Sequence, residues 1–117
     1  MASELTIQDG DASGDARVLR VAGRLDARNA QMLVQKCQEH LDNGARHVVL
    51  NLGDVSFVAS SGVGSLLALT EKFQENGGSL HLVHMSDAVS SVVDLLNLGQ
   101  FLEIATTEEE AVAAIGV

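Results

Sequence analysis

The period of apolar and polar residues changes several times along the chain, and each change predicts an element. Leu5 and Ile7 alternate with polar neighbours, a turn-rich DGDASGD follows, and alternation resumes from Arg17 to Val21, so the opening reads as a hairpin. After GRLDARNA, the residues Ala30, Leu33, Val34, Cys37 and Leu41 recur on one helix face, and Asn43-Gly44 supplies a stop. This predicts a helix from about Ala27 to Asp42. Val48, Val49, Leu50 and Leu52 form a β-branched-rich run, the pattern of a central strand covered on both faces.

A second helix is expected from Ser60 or Ser61 to about Glu75, with Leu66, Leu69 and Phe73 on one face and Asn76-Gly77-Gly78 ending it. Leu80 to His84 reads as a strand. Ser86-Asp87 can cap a third helix whose Val89, Val92, Val93 and Leu96 face the sheet, ending near Asn97 to Gly99. A short strand near Leu102 to Ala105 precedes Thr107 to Glu110, which has capping-box spacing and leads into Ala111, Val112 and Ile115. Strands separated by helices require crossover connections, so the expected fold is α/β: one mixed, mostly parallel sheet with about four helices. No repeat or linker divides the chain, and a single domain over residues 1–117 is expected.

Composition narrows the function classes. A hydrophobic content of 46% is enough for a core. Seven basic against sixteen acidic residues give a formal charge of -9, which repels a phosphate backbone or an anionic membrane, so nucleic acid is not an expected partner. No apolar run approaches the roughly 20 residues that span a bilayer. The start MASELTIQDGDASGD lacks the basic and apolar regions of a signal peptide, so a cytoplasmic protein without membrane insertion is expected. Cys37 is the sole cysteine, which rules out an intrachain disulfide and a cysteine-rich metal site.

The stretch Phe57 to Leu67, FVASSGVGSLL, places two adjacent serines, Ser60 and Ser61, and two glycines between a strand-like and a helix-like run. Gly62-Val63-Gly64 lacks the third glycine of a dinucleotide fingerprint, no Gly-x-Ser-x-Gly elbow surrounds Ser60, and no Gly-Lys-Ser/Thr follows. His81 and His84 lie three apart on a strand and so point to opposite faces. Cys37 falls on an apolar stripe and reads as core. Glu108 to Glu110 read as a solvated first helical turn, favoured by the macrodipole. No catalytic set, metal site or cofactor is expected. Ser60 and Ser61 can simply cap a helix, and Asp26 is equally readable as a helix N-cap or a functional carboxylate.

Taken together, GRLDARNA, HVVLNLGDVSFVASSGVGSLLAL and NGGSLHLVHMSDAVSSVVDLLNLGQFLEIATTEEEAV resemble the anti-sigma factor antagonist branch of the STAS domain family over almost the whole chain. The resemblance implies a mixed sheet with helices on one side and a binding role rather than an enzymatic one. It implies phosphorylation of Ser60, with Ser61 as second choice, by an anti-sigma factor that is also a serine kinase, and a serine phosphatase as a further partner. Asp26 corresponds to the aspartate of the family's Gly-x-Leu-Asp turn and is expected beside Ser60 on the partner-binding surface. Gly62 and Gly64 would keep that surface low, and the chain would be a monomer or weak dimer. Family members commonly carry an aspartate immediately before the serine pair, where this chain has Ala59. That departure favours a second reading, a scaffold or accessory subunit of a signalling or lipid-transport complex that binds without being phosphorylated.

Overall fold

The computed structural model describes residues 5–116. The elements run β1 (Leu5–Ser13), β2 (Ala16–Leu25), α1 (Ala30–Asp42), β3 (His47–Val58), α2 (Ser60–Glu75), β4 (Ser79–Val83), α3 (Asp87–Leu95), a 3-10 turn (Gly99–Phe101), β5 (Glu103–Ala105) and α4 (Glu108–Ile115). Strands pair in the order β1-β2-β3-β4-β5, with β1 antiparallel to β2 and the other neighbours parallel. The expected α/β architecture and the central third strand are both observed.

Local differences have local causes. The hairpin turn is only Gly14-Asp15, between the paired Ser13 and Ala16, and Gly14 has φ +58, the sign that such two-residue turns require. The rest of the DGDASGD run belongs to β1, which absorbs its glycine at a bulge between Asp9 and Ala12. β3 extends well past Leu52, because parallel pairing with β2 continues through two register shifts as far as Leu25 opposite Val58. β4 ends at Val83, since His84 takes φ +51 and leaves the strand. Leu96, expected against the sheet, is instead the C-cap of α3 and 44% exposed.

Residues of opposite parity on each strand serve two cores. Leu19, Val48, Leu50, Leu80 and Leu82 face one side, where they pack with Leu33, Cys37, Leu66, Leu69, Phe73, Val89 and Val93 from α1, α2 and α3. The three crossovers step across the sheet in one direction, so a common right-handedness puts their helices on one face. Val18, Val49 and Val83 face the other way and meet Ala111, Val112 and Ile115 of α4. The one-sided helix layer implied by the family resemblance is therefore incomplete. α4 follows the last strand, crosses back to none, and is free to cover the opposite face.

An ion pair fixes α4 there. Glu108 accepts from Arg20 Nη2 at 2.8 Å and Nε at 3.0 Å, and from Asn51 Nδ2 at 2.8 Å. The Arg20 hydrogen bond foremost, with that of Asn51 and the Arg20 charge, holds the Glu108 carboxyl below its ordinary value despite partial burial. The expected solvated first turn thus holds for Glu109 and Glu110 but not for Glu108, whose side chain reaches back to the sheet. Thr107 caps the helix by accepting from the Glu110 N–H at 3.1 Å. Ser86 likewise caps α3, and its hydroxyl also donates to the Val55 carbonyl at 2.6 Å, tying the helix start to β3.

Candidate functional site

The C-terminal ends of β2 and β3 are neighbours, so the turns leaving them lie side by side. Leu25 pairs with Val58, and the Ala59 N–H donates to the Leu25 carbonyl at 2.9 Å. Asp26 and Ser60, 34 positions apart in sequence, each begin one residue beyond this contact. The parallel sheet brings the two candidate residues together, in the place where open α/β sheets present their loops.

Asp26 does not cap α1. Its Oδ1 accepts from the Arg28 N–H at 3.0 Å and its Oδ2 from Arg28 Nη2 at 3.3 Å, while its carbonyl accepts from the Ala30 N–H at 2.9 Å. Residues 26–29 are consumed by this turn, and α1 starts at Ala30 rather than Ala27. Burial opposes the Asp26 charge, but the Arg28 hydrogen bonds and the Arg28 and Arg24 charges outweigh it and hold the carboxyl below its ordinary value near 3.8. An ionised carboxylate therefore stands beside the Ser60 loop at neutral pH.

Asn29 is the residue that sequence reasoning passed over. It is buried; its Oδ1 accepts from the Asp26 N–H at 3.0 Å and its Nδ2 donates to the Arg24 carbonyl at 2.8 Å, closing the turn on itself. An asparagine three residues after Asp26, in a segment too short for a helix face, was the available signal. Asn29→Ala should lower the unfolding free energy by about 1–3 kcal/mol, because it orphans two polar groups in a closed turn. Urea denaturation measures this, and a loss below about 0.5 kcal/mol would mean that water replaces the amide.

Ser60 and Ser61 are exposed at the first two positions of α2, and the N-cap is Ala59, which has no side chain that can accept. No side chain caps this helix, so the bland reading of the two serines as caps fails. Gly62 is buried, and a Cβ there would come within 2.9 Å of both Leu25 Cγ and the Leu25 carbonyl oxygen. Its role is to let α2 sit down on the end of β2, not to lower an outer surface. Gly64 is exposed, and an added methyl there would meet nothing within 4 Å. At the rim, the Arg24 guanidinium lies 4.1 Å from the centroid of Phe57.

A family model for the STAS domain matches residues 5–111. The chain belongs to the STAS domain family. Among curated relatives, the anti-sigma-B factor antagonist of Bacillus subtilis (strain 168) is 28% identical over 94 residues, covering 80% of this chain and 85% of its own. The anti-sigma factor antagonist SpoIIAA in its unphosphorylated form superposes with a TM-score of 0.78 at 28% identity, covering 94% of this chain and 96% of that one. The phosphorylated form of the Bacillus cell fate determinant SpoIIAA gives 0.71 at 27% identity, covering 94% and 99%.

The remaining sequence candidates lie elsewhere on the STAS domain. Cys37 is fully buried and burial pushes its thiol up to about 12, which leaves it a core residue. No helix among the described residues is long and apolar enough to cross a membrane. His81 and His84 do not converge, but His81 has a partner that spacing did not reveal. Ser79 Oγ lies 2.8 Å from His81 Nε2 and 2.8 Å from His47 Nδ1, linking two strands at the opposite end of the sheet from Ser60. The hydroxyl can donate to only one ring, so the other must donate to it.

This relay makes stability depend on pH. Burial pushes His81 below its ordinary value of 6.5, opposed by Glu103 and assisted by His47. The unfolded chain then binds a proton at higher pH than the native one, so this contribution is whole above about pH 6.5 and falls as pH drops through the lower native value. The urea midpoint should fall between about pH 7.5 and 5.5, and His81→Gln should flatten that part of the decline. Parallel curves for the two proteins would assign the pH dependence to other groups.

Proposed function

We propose that this STAS domain is an anti-sigma factor antagonist, a cytoplasmic binding module that sequesters an anti-sigma factor with serine kinase activity and is released when Ser60 is phosphorylated. The observation that carries the reading is an exposed hydroxyl that caps nothing, placed at the first position of α2 beside the ionised Asp26. A kinase needs an acceptor hydroxyl that its cleft can reach, and a switch needs one whose modification leaves the fold intact. Asp26, Ala59, Ser60, Ser61 and Gly64 form the partner-binding surface, with Gly62 holding the helix start in place. Phosphate at this position gains from the helix dipole and brings about -1.5 to -2 charges into a surface the partner must bury. The relatives named as anti-sigma factor antagonists support the same assignment.

Incubation with the cognate kinase and ATP, followed by mass-spectrometric mapping, tests the reading. Phosphate on Ser60 is expected; phosphate on Ser61 alone, or none with a partner whose binding is verified, would overturn the switch. Ala59 tunes the rate. Alanine can neither position the serine hydroxyl nor contact the kinase through a hydrogen bond. Ala59→Asp should therefore raise the rate of Ser60 phosphorylation, and an unchanged rate with intact affinity would make the alanine neutral. Absence of phosphorylation with retained binding would instead favour a scaffold or accessory subunit, the role that Ala59 by itself suggests.

A further inference from the structure

The turn that carries Asp26 holds a guanidinium next to the place where Ser60 would receive its phosphate. Arg28 Nη2 lies 3.3 Å from Asp26 Oδ2, and the Arg28 side chain is 77% exposed. Asp26 and Ser60 each stand one residue, about 3.8 Å of chain, beyond the 2.9 Å bond from the Ala59 N–H to the Leu25 carbonyl. The turn does not depend on the guanidinium for its shape. Asp26 Oδ1 accepts from the Arg28 N–H at 3.0 Å, and Asn29 closes the turn through the Asp26 N–H and the Arg24 carbonyl. The guanidinium can therefore turn away while the backbone stays in place, and an ion pair this exposed contributes little to stability.

We propose that phosphorylation transfers the Arg28 guanidinium from Asp26 to the Ser60 phosphate, so that the chain carries its own latch for the modified state; the inference rests on Ser60 being the acceptor. Charge sets the direction of the transfer. A carboxylate offers one negative charge and the phosphate about 1.5 to 2. Guanidinium and phosphate also meet through two parallel N–H···O bonds, a geometry that a single 3.3 Å contact to Asp26 Oδ2 does not supply. A phosphate placed beside the ionised Asp26 needs a cation close to both. Arg28 and Arg24 are the two guanidiniums whose charge acts on Asp26, and Arg24 lies over the Phe57 ring at 4.1 Å, which leaves Arg28 to move. The first turn of α2 is the competing holder, but its Gly62 and Val63 N–H groups already donate to the Ala59 carbonyl.

The test installs phosphoserine at position 60 of the full chain through an expanded genetic code and titrates its 31P resonance with pH. No kinase or partner takes part, so an enzyme that fails to modify Ser60 would count against the switch and leave this result standing. The second phosphate ionisation should fall below its ordinary value of about 6 in the parent. Arg28→Gln should raise it by about one unit, the effect of losing an adjacent opposite charge. Arg28→Lys should keep part of the depression, since the charge remains and the paired hydrogen bonds do not. The Arg28 Nε–H resonance should move with the phosphate's own midpoint, which an arginine still held by Asp26 would not do. Without phosphate, Arg28→Gln should melt with the parent, because the side chain is largely in solvent. A phosphate titration unmoved by Arg28→Gln, or moved as far by Arg24→Gln, would overturn the proposal, as would an Arg28 resonance that ignores the phosphate midpoint.

Discussion

Ser60→Asp should weaken binding of the anti-sigma factor by about 100-fold or more while leaving the melting temperature within a few degrees of the parent. The binding effect follows from charge: a docked partner would have to bury a carboxylate next to the ionised Asp26, and an uncompensated buried charge costs about 3–5 kcal/mol, where 1.4 kcal/mol is tenfold. The fold should be indifferent. Ser60 is exposed, no side chain caps the helix it begins, and a negative charge in a first turn is favoured by the dipole. Calorimetric titration with the purified partner and a thermal melt of each protein check the two halves separately. A large drop in melting temperature would give Ser60 a structural role, and unchanged affinity would place the partner elsewhere.

Gly62→Ala should destabilise the domain by about 1–3 kcal/mol, the usual cost of forcing extra volume into a packed site. The added methyl would meet the Leu25 carbonyl oxygen and Leu25 Cγ at 2.9 Å and Val58 Cγ2 at 3.1 Å, and the first of these is backbone that cannot turn aside. The helix start must lift from β2, carrying Ser60 with it, so partner binding should fall as well. Gly64→Ala is the control two residues on, where a methyl meets open space and helix propensity gains up to about 1 kcal/mol. Urea denaturation of both variants should show opposite signs. Equal stability of the two would mean that α2 slides on the sheet at no cost.

Element type was readable along the chain because burial imposes a period on each segment. The run from Val48 to Leu52 declared a strand covered on both faces, and the Leu66, Leu69, Phe73 spacing declared a helix with one buried side. Alternation of such segments called for crossover connections, whereas the expectation that Asp26 and Ser60 share one surface came from the family resemblance; the parallel pairing of β2 with β3 sets the two turns side by side. Where an element ends was less legible. Asp26 to Asn29 continue a helix-compatible composition, yet side-chain hydrogen bonds within the turn hold α1 back to Ala30. Facing decisions were made only in three dimensions. Thr107 to Glu110 alone shows a helix start, but which face of the sheet α4 covers depends on Arg20, 88 positions before Glu108. The same holds for the Ser79 bridge to His47 and for the backbone that crowds Gly62, because strand register, not sequence spacing, brings those atoms together. Local patterns report how a segment meets water, whereas partners across the sheet are chosen by the packing of the whole.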